Sequence, residues 1–182
     1  MTLRTVGHGT LPEADFAALV SDTGIAVVVD VRSFPASRRH PQYRREAMER
    51  WLPDAGVAYR WEPRLGGRRK PRPDSPHGAL RVPAFRGYAD HMETDEFRDA
   101  LDDLLAESST RSAAVMCAES LWWRCHRRLL ADAAVLLRGA AVEHLFHDGR
   151  HDPHRPMPAA RVDGRRIVYD RGEQALPLRD SP

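Results

Sequence analysis

The sequence has almost no lysine, since Lys70 is the single lysine among 28 lysine and arginine residues. Arginine forms paired hydrogen bonds to phosphate and carboxylate groups, which lysine does not. The overall excess is nevertheless typical of a GC-rich genome. Local clusters are harder to explain in that way: residues 32–50 and residues 60–72 each hold six basic residues. These two segments are therefore candidate surfaces for anions.

Long hydrophobic runs and secretory signals are also missing. No apolar segment approaches the ~20 residues of a membrane-spanning helix. The N-terminus lacks the apolar segment and small-residue cleavage site of a signal peptide. We therefore expect a cytoplasmic protein that does not bind a membrane.

Cysteine is scarce, with Cys117 and Cys125 alone. Two cysteines are too few for a disulfide framework, and their separation does not fit a structural zinc motif. His147, His151 and His154 have a suitable spacing but lie in a polar, Pro-rich stretch. Metal binding is therefore the less favoured interpretation of the metal-capable side chains, and we predict no metal site and no cofactor.

The rest of the composition describes a globular chain. It has 182 residues, of which 42% are hydrophobic, and a formal net charge of +2. This length favours one domain with one core. We place the domain at residues 1–148 and a polar, Pro-rich extension at residues 149–182, where Arg166–Tyr169 could add a short edge strand.

Strand and helix patterns alternate along the domain. Strands are predicted at residues 3–7, 25–29, 57–61, 112–116 and 141–146. Helices are predicted at residues 12–20, 44–51, 85–91, 93–106 and 121–138, the first with Thr10 as its N-cap. Such alternation predicts a single-domain α/β fold, with a mostly parallel sheet of about five strands and helices on both faces.

Chemically capable residues follow several of these strands. His8 follows the first strand, Asp30 the second and Cys117 the fourth. Ligands of open α/β sheets bind beyond the carboxyl ends of the strands. We therefore expect these residues, with Arg32, Glu119 and Arg127, to converge on one concave surface.

Cys117 has two competing interpretations. A thiol between a strand and a helix receives free N–H groups and a helix dipole, and these conditions favour a nucleophilic thiolate. A free cysteine is equally often a small buried hydrophobic residue. Cys125 would lie inside the predicted helix at 121–138, so the first interpretation predicts an acidified Cys117 and a much less reactive Cys125.

The other candidates also have structural alternatives. His8, Asp30 and Glu119 could act as acids or bases, or serve as a loop histidine, a loop cap and a first-turn acidic residue. Gly66 and Gly67 could allow a close approach to a ligand or form a simple turn. The remaining ligand-binding candidates are five possible anion contacts: Arg32, Arg38, Arg124, His126 and Arg127. The ring of Trp122 could stack on a base.

Six segments together resemble the domain-of-unknown-function family DUF488. They are Val6–Gly9, Asp30–Arg38, Leu65–Gly67, Phe85–Asp90, Met116–Glu119 and Cys125–Arg127. They occur in the order of that family and extend across most of the predicted core. The resemblance implies a compact α/β domain and brings no established reaction with it.

Two functional hypotheses follow. The first is a small enzyme that binds an anionic, nucleotide-like or phosphate-containing ligand, with Cys117 as its nucleophile. The second is a non-catalytic nucleic-acid-binding module that uses the Arg-rich loops 32–50 and 60–72. An interaction domain whose arginines reflect its genome is a third and simpler alternative. The sequence leaves the oligomeric state open.

Overall fold

The computed structural model describes residues 2–170, within which six strands form one central sheet. The strands are β1 (Thr2–Gly7), β2 (Val27–Asp30), β3 (Ala58–Trp61), β4 (Ala113–Cys117), β5 (Ala141–Leu145) and β6 (His151–Pro153). Their order across the sheet is β3-β2-β4-β1-β5-β6. The first five strands are parallel to their neighbours, and β6 is antiparallel to β5. The predicted α/β class with a mostly parallel sheet is confirmed.

Helices cover both faces of this sheet. In the described part of the chain they are α1 (Glu13–Asp22), α2 (Arg45–Asp54), α3 (Pro83–Met92), α4 (Asp95–Thr110) and α5 (Arg127–Arg138). Side chains of β2 alternate between two buried clusters: Val28 packs with residues of α1 and α2, whereas Val27 and Val29 pack with residues of α3, α4 and α5. This alternation is why β2 is apolar along its whole length.

The order of the strands brings three carboxyl ends together. β4 lies between β1 and β2, and Cys117 is the register partner of Gly7. On the other side of β4, Met116 is the register partner of Asp30. The residues that follow β1, β2 and β4 therefore share one edge of the sheet.

Two local predictions are wrong. The helix predicted over residues 121–138 is divided into a 3₁₀ turn at Trp122–Arg124 and the helix α5, with Cys125 in an extended conformation between them. Tertiary contacts of Trp122, Cys125 and His126 override the helical pattern there. Thr10 does not cap α1, because Pro12 occupies the N-cap position and disfavours helical backbone in the preceding residue.

The chain after β5 contributes to two sheets. β6 takes the outer edge of the main sheet, while Ala160–Asp163 (β7) and Arg166–Tyr169 (β8) form a separate two-stranded sheet. The strand at 166–169 thus pairs with β7 rather than with an edge of the main sheet. Residues 171–182 of the predicted extension lie outside the described residues, and the boundary at residue 148 stays a prediction.

No helix within residues 2–170 is long and apolar enough to cross a membrane.

Candidate functional site

A cavity of about 290 Å³ opens at the shared edge of β1, β2 and β4. One part of its wall consists of Cys117, Cys125 and His126. Charged side chains on the wall are Arg32, Arg68, Arg124 and Glu119, and two aromatic rings, Phe34 and Phe85, also contribute. The cavity therefore combines thiols, an imidazole, an excess of positive charge and apolar surface.

The two thiols and His126 form a compact cluster, which we call the thiol–imidazole cluster. Nδ1 of His126 lies 3.5 Å from Sγ of Cys125 and 3.9 Å from Sγ of Cys117. Nε2 of His126 lies 3.2 Å from the carbonyl oxygen of Val31. Since a carbonyl only accepts, this contact puts the ring proton on Nε2. The lone pair of Nδ1 is then directed at the sulfur atoms.

The cluster also decides how the thiols share a proton. A hydrogen bond from the Cys117 thiol lowers the pKa of Cys125 well below its usual value, against the opposing effect of burial. The same hydrogen bond, together with burial, raises the pKa of Cys117. These directions are opposite to the predicted acidified Cys117 beside a much less reactive Cys125, and the labelling behaviour of the two thiols stays a prediction.

His8 and Asp30 lie behind the cavity, where they hold Arg32. The guanidinium of Arg32 donates hydrogen bonds of 2.8 and 2.5 Å to the carboxylate of Asp30, which is fully buried and also accepts from Tyr59. Nη1 of Arg32 lies 3.2 Å from Nε2 of His8. Burial and the charge of Arg32 lower the pKa of His8 to about 3. His8 is thus neutral near pH 7 and accepts from Arg32.

Arg127 does not reach the cavity. Its side chain is only 1% exposed and donates to the backbone carbonyls of Glu119 and Ser120. The guanidinium therefore holds the turn that follows β4. Its predicted role as an anion contact is not supported by this position.

Two further ligand-binding candidates lie away from the cavity wall. The indole of Trp122 stacks on the ring of His144, with 3.9 Å between the ring centroids, and Arg38 is exposed on the loop after β2. In contrast, Arg32, Gly67, Arg124 and His126 line the cavity, as do the catalytic candidates Cys117 and Glu119.

Gly66 and Gly67 allow a close approach of backbone to side chain. The carbonyl of Gly67 accepts a 2.6 Å hydrogen bond from the hydroxyl of Ser33. A Cβ on Gly66 would lie 2.6 Å from that hydroxyl oxygen, and a Cβ on Gly67 would lie 2.8 Å from Nδ1 of His126. These distances exclude a larger residue unless its neighbours move. Gly67 therefore shapes the cavity wall, whereas Gly66 lies outside the lining and leaves room for the side chain of Ser33.

Sequence reasoning missed Phe34 and Phe85 as parts of the site. Phe34 is 73% exposed yet lines the cavity, and it follows the end of β2 by four residues. Its place in the loop after a central strand was the available signal. Arg68, in contrast, belongs to the basic segment 60–72, which the sequence indicated as a candidate anion surface.

The cavity residues lie largely within a known family. The family described as Domain of unknown function DUF488 matches residues 14–134, which is more than half of the chain. The chain therefore belongs to DUF488. The matched region extends from α1 into α5 and includes the whole thiol–imidazole cluster. No curated protein and no solved structure matches the chain.

Proposed function

We propose that this member of DUF488 is a small enzyme that binds an anionic, phosphate-containing ligand in the cavity beside Cys117. The observation that carries the proposal is the position of Arg68 and Arg124 on a wall shared with two buried thiols. Recognition by positive charge and reaction by sulfur would then take place in the same cavity.

The charge balance of the cavity supports an anion. Neither Arg68 nor Arg124 forms an ion pair with any carboxylate among residues 2–170. Arg32 is neutralised by Asp30 but is held rigidly by it. Guanidinium groups bind phosphate oxygens through paired hydrogen bonds. In the described part of the chain, Glu119 is the one acidic side chain that lines the cavity, so these two unpaired arginines leave a positive balance that favours a phosphate group over a neutral ligand.

Aromatic rings beside these arginines support a nucleotide-like ligand rather than bare phosphate. Phe34 and Phe85 both line the cavity. An aromatic face stacks on any nucleobase and contributes ~1–3 kcal/mol per base. In this proposal Phe34, rather than Trp122, stacks on the base, because the indole of Trp122 is already stacked on the ring of His144.

The thiol pair supplies the reactive group in this proposal. Cys117 and Cys125 both line the cavity, and Nδ1 of His126 lies within reach of both sulfur atoms. A thiolate with an adjacent imidazole is the usual arrangement of a sulfur nucleophile. Cys117 remains the candidate nucleophile. Because its pKa is raised by its contact with Cys125 and by burial, its proton would pass to the Cys125 thiolate or to Nδ1 of His126 as the sulfur attacks.

Calorimetric titration with inorganic phosphate and with adenosine monophosphate tests ligand binding. We expect both to bind, and Arg68→Gln or Arg124→Gln to weaken binding ~10-fold, the effect of one lost charged hydrogen bond. Arg155→Gln is the matched control, since Arg155 is exposed and lies outside the cavity lining. No binding, or equal binding by all variants, would refute the proposal.

The nucleophile is tested separately with a reactive phosphate ester and peptide mass spectrometry. In the wild-type protein we expect the sulfur of Cys117 to form a bond to phosphorus while the ester P–O bond breaks and the alkoxide leaves, which gives a covalent adduct at Cys117. We expect no adduct in the Cys117→Ser variant, which should still bind phosphate. Adduct formation that continues unchanged without Cys117 would assign the chemistry to Cys125 or to another residue.

A non-catalytic nucleic-acid-binding module is supported less well. In the loop 60–72, Arg60, Arg64 and Arg72 form ion pairs with carboxylates at residues 62, 90, 93, 103 and 107. Arginines held in this way are less available for a phosphate backbone. Steep salt dependence of DNA or RNA binding that is unaffected by Cys117→Ser would favour this alternative.

A further inference from the structure

We propose that Cys117, Cys125 and His126 bind one divalent transition-metal ion of the zinc class, with a fourth coordination position open to the cavity. This inference goes beyond the proposed function and does not depend on it. It concerns the donor atoms of the thiol–imidazole cluster: the two Sγ atoms and Nδ1 of His126, which all lie within 4.8 Å of one another.

The distances within the cluster fit a tetrahedral site. Zinc binds thiolate sulfur at ~2.3 Å and imidazole nitrogen at ~2.0 Å, so tetrahedral angles separate the two ligand atoms by about 3.5 Å. The two observed distances from Nδ1 of His126 are 3.5 Å to Sγ of Cys125 and 3.9 Å to Sγ of Cys117. The two sulfur atoms lie within 4.8 Å of each other, against about 3.8 Å for two thiolates on one tetrahedral ion. Binding a single ion would therefore bring the sulfurs together by no more than about 1 Å.

The orientation of His126 is that of a metal ligand. Imidazoles that bind metals almost always donate their second ring N–H to a carbonyl or carboxylate, which fixes the tautomer. Nε2 of His126 meets the carbonyl of Val31 in this way, at the end of the neighbouring strand β2. Nδ1 is left unprotonated towards the thiols, so the tautomer suits coordination.

The surrounding structure holds the three donors in place. Cys117 ends the central strand β4, and Cys125 and His126 directly precede α5. All three residues are buried, with 9%, 4% and 9% exposure in that order. Two thiolates would also neutralise the charge of a divalent ion in this buried setting. Sulfur ligands favour zinc and similar soft ions over magnesium and calcium.

The cavity supplies the open position. All three ligand residues line it, so the side of the cluster that faces the cavity is accessible to a small molecule. Three protein ligands with one open position are typical of catalytic zinc sites, whereas structural sites use four protein ligands. A bound ion would convert the sulfurs from free thiols into ligands, so the nucleophilic role proposed for Cys117 belongs to the metal-free protein. An anion in the cavity could then occupy the fourth position.

Cobalt provides a direct test, because Co²⁺ substitutes for zinc and is coloured. The full-length protein would be reduced, treated with a chelator and titrated with Co²⁺, followed by Zn²⁺. We expect one Co²⁺ per chain, a sulfur-to-cobalt charge-transfer band, intense visible bands of tetrahedral cobalt, and loss of colour when Zn²⁺ displaces the cobalt.

Variants assign the ligands. We expect Cys117→Ser, Cys125→Ser and His126→Gln each to weaken cobalt binding ~100-fold or more. Loss of a residue that only supports a ligand weakens metal binding by up to ~100-fold, and loss of a ligand itself should weaken it at least as much. His151→Gln is the matched control, because His151 belongs to the histidine-rich stretch after β5. Absence of the charge-transfer band, or binding lost in His151→Gln alone, would overturn the proposal.

X-ray absorption of the zinc-loaded wild-type protein gives a result even if a variant fails to fold. Two sulfur atoms at ~2.3 Å and one nitrogen at ~2.0 Å are expected in the zinc shell. A shell of oxygen and nitrogen alone would overturn the proposal. Failure of phosphate or adenosine monophosphate to bind would refute the proposed function and leave these spectra unchanged.

Discussion

The backbone of Gly67 lies against the imidazole of His126, so that a Cβ at residue 67 would lie 2.8 Å from Nδ1. These residues are far apart in the sequence, yet Gly67 leaves the space in which His126 meets the two thiols. The shape of the site therefore depends on the absence of a side chain.

Gly67→Ala is expected to displace His126 and to destabilise the protein by ~1–3 kcal/mol, the usual cost of overpacking. Urea unfolding measures this change. Gly78→Ala is the control, since a Cβ there would meet nothing within 4 Å, and we expect a neutral or slightly stabilising effect. Equal stability of both variants would show that His126 can move freely.

Asp30→Asn is expected to destabilise the fold by ~3–5 kcal/mol, because it leaves the buried charge of Arg32 without its partner. Both side chains of this ion pair are at least nine-tenths buried. Glu49→Gln removes a carboxylate that pairs with Arg45 at the surface, and no measurable change is expected there. A similar unfolding midpoint for Asp30→Asn and the wild type would mean that Arg32 finds another partner.

Stability should fall as the pH drops below about 6.5, in part because of His144. Burial, reinforced by the charges of His154 and Arg127, lowers the pKa of His144 from 6.5 to about 3. Below pH 6.5 this histidine binds a proton in the unfolded chain but not in the folded chain. The free energy of unfolding therefore falls as the pH decreases towards 3. The slope from one such group is ~1.4 kcal/mol per pH unit.

His144→Gln should reduce this slope, measured as the free energy of unfolding between pH 7 and pH 4. His151→Gln serves as the comparison variant, because His151 is about one-third exposed whereas His144 is buried. An unchanged slope in His144→Gln would assign the acid sensitivity to other groups, of which His8 is the first candidate, since burial also lowers its pKa to about 3.

Asp132→Ala should weaken the packing of the segment that follows β6 against the rest of the domain. The buried carboxylate of Asp132 accepts hydrogen bonds from His154, the backbone of Met157 and the hydroxyl of Tyr169. Leaving these donors unpaired should cost at least ~3 kcal/mol. Limited proteolysis near residues 155–165 should accelerate, whereas Asp102→Ala, at an exposed ion pair with Arg138, should not change it.

Hydrophobic pattern alone determined the strands and most of the helices of this protein. A run such as Val27–Val29 can be buried on both faces only in a central strand, and β2 is such a strand. The carboxyl-edge position of Cys117 and Asp30 followed because parallel strands end at a common edge. These features depend on local sequence and on general rules of sheet topology.

Contacts between distant residues decided the rest of the site. The sequence pattern predicted that Cys125 lies in a helix. In the structure, Trp122 stacks on His144 and His126 contacts Val31, and these contacts place Cys125 beside Cys117. Likewise, composition could not distinguish Arg127, which is used to hold backbone carbonyls, from Arg124, which faces the cavity. Local periodicity carries no information about partners dozens of residues away, so only the tertiary structure could bring the three donor atoms together.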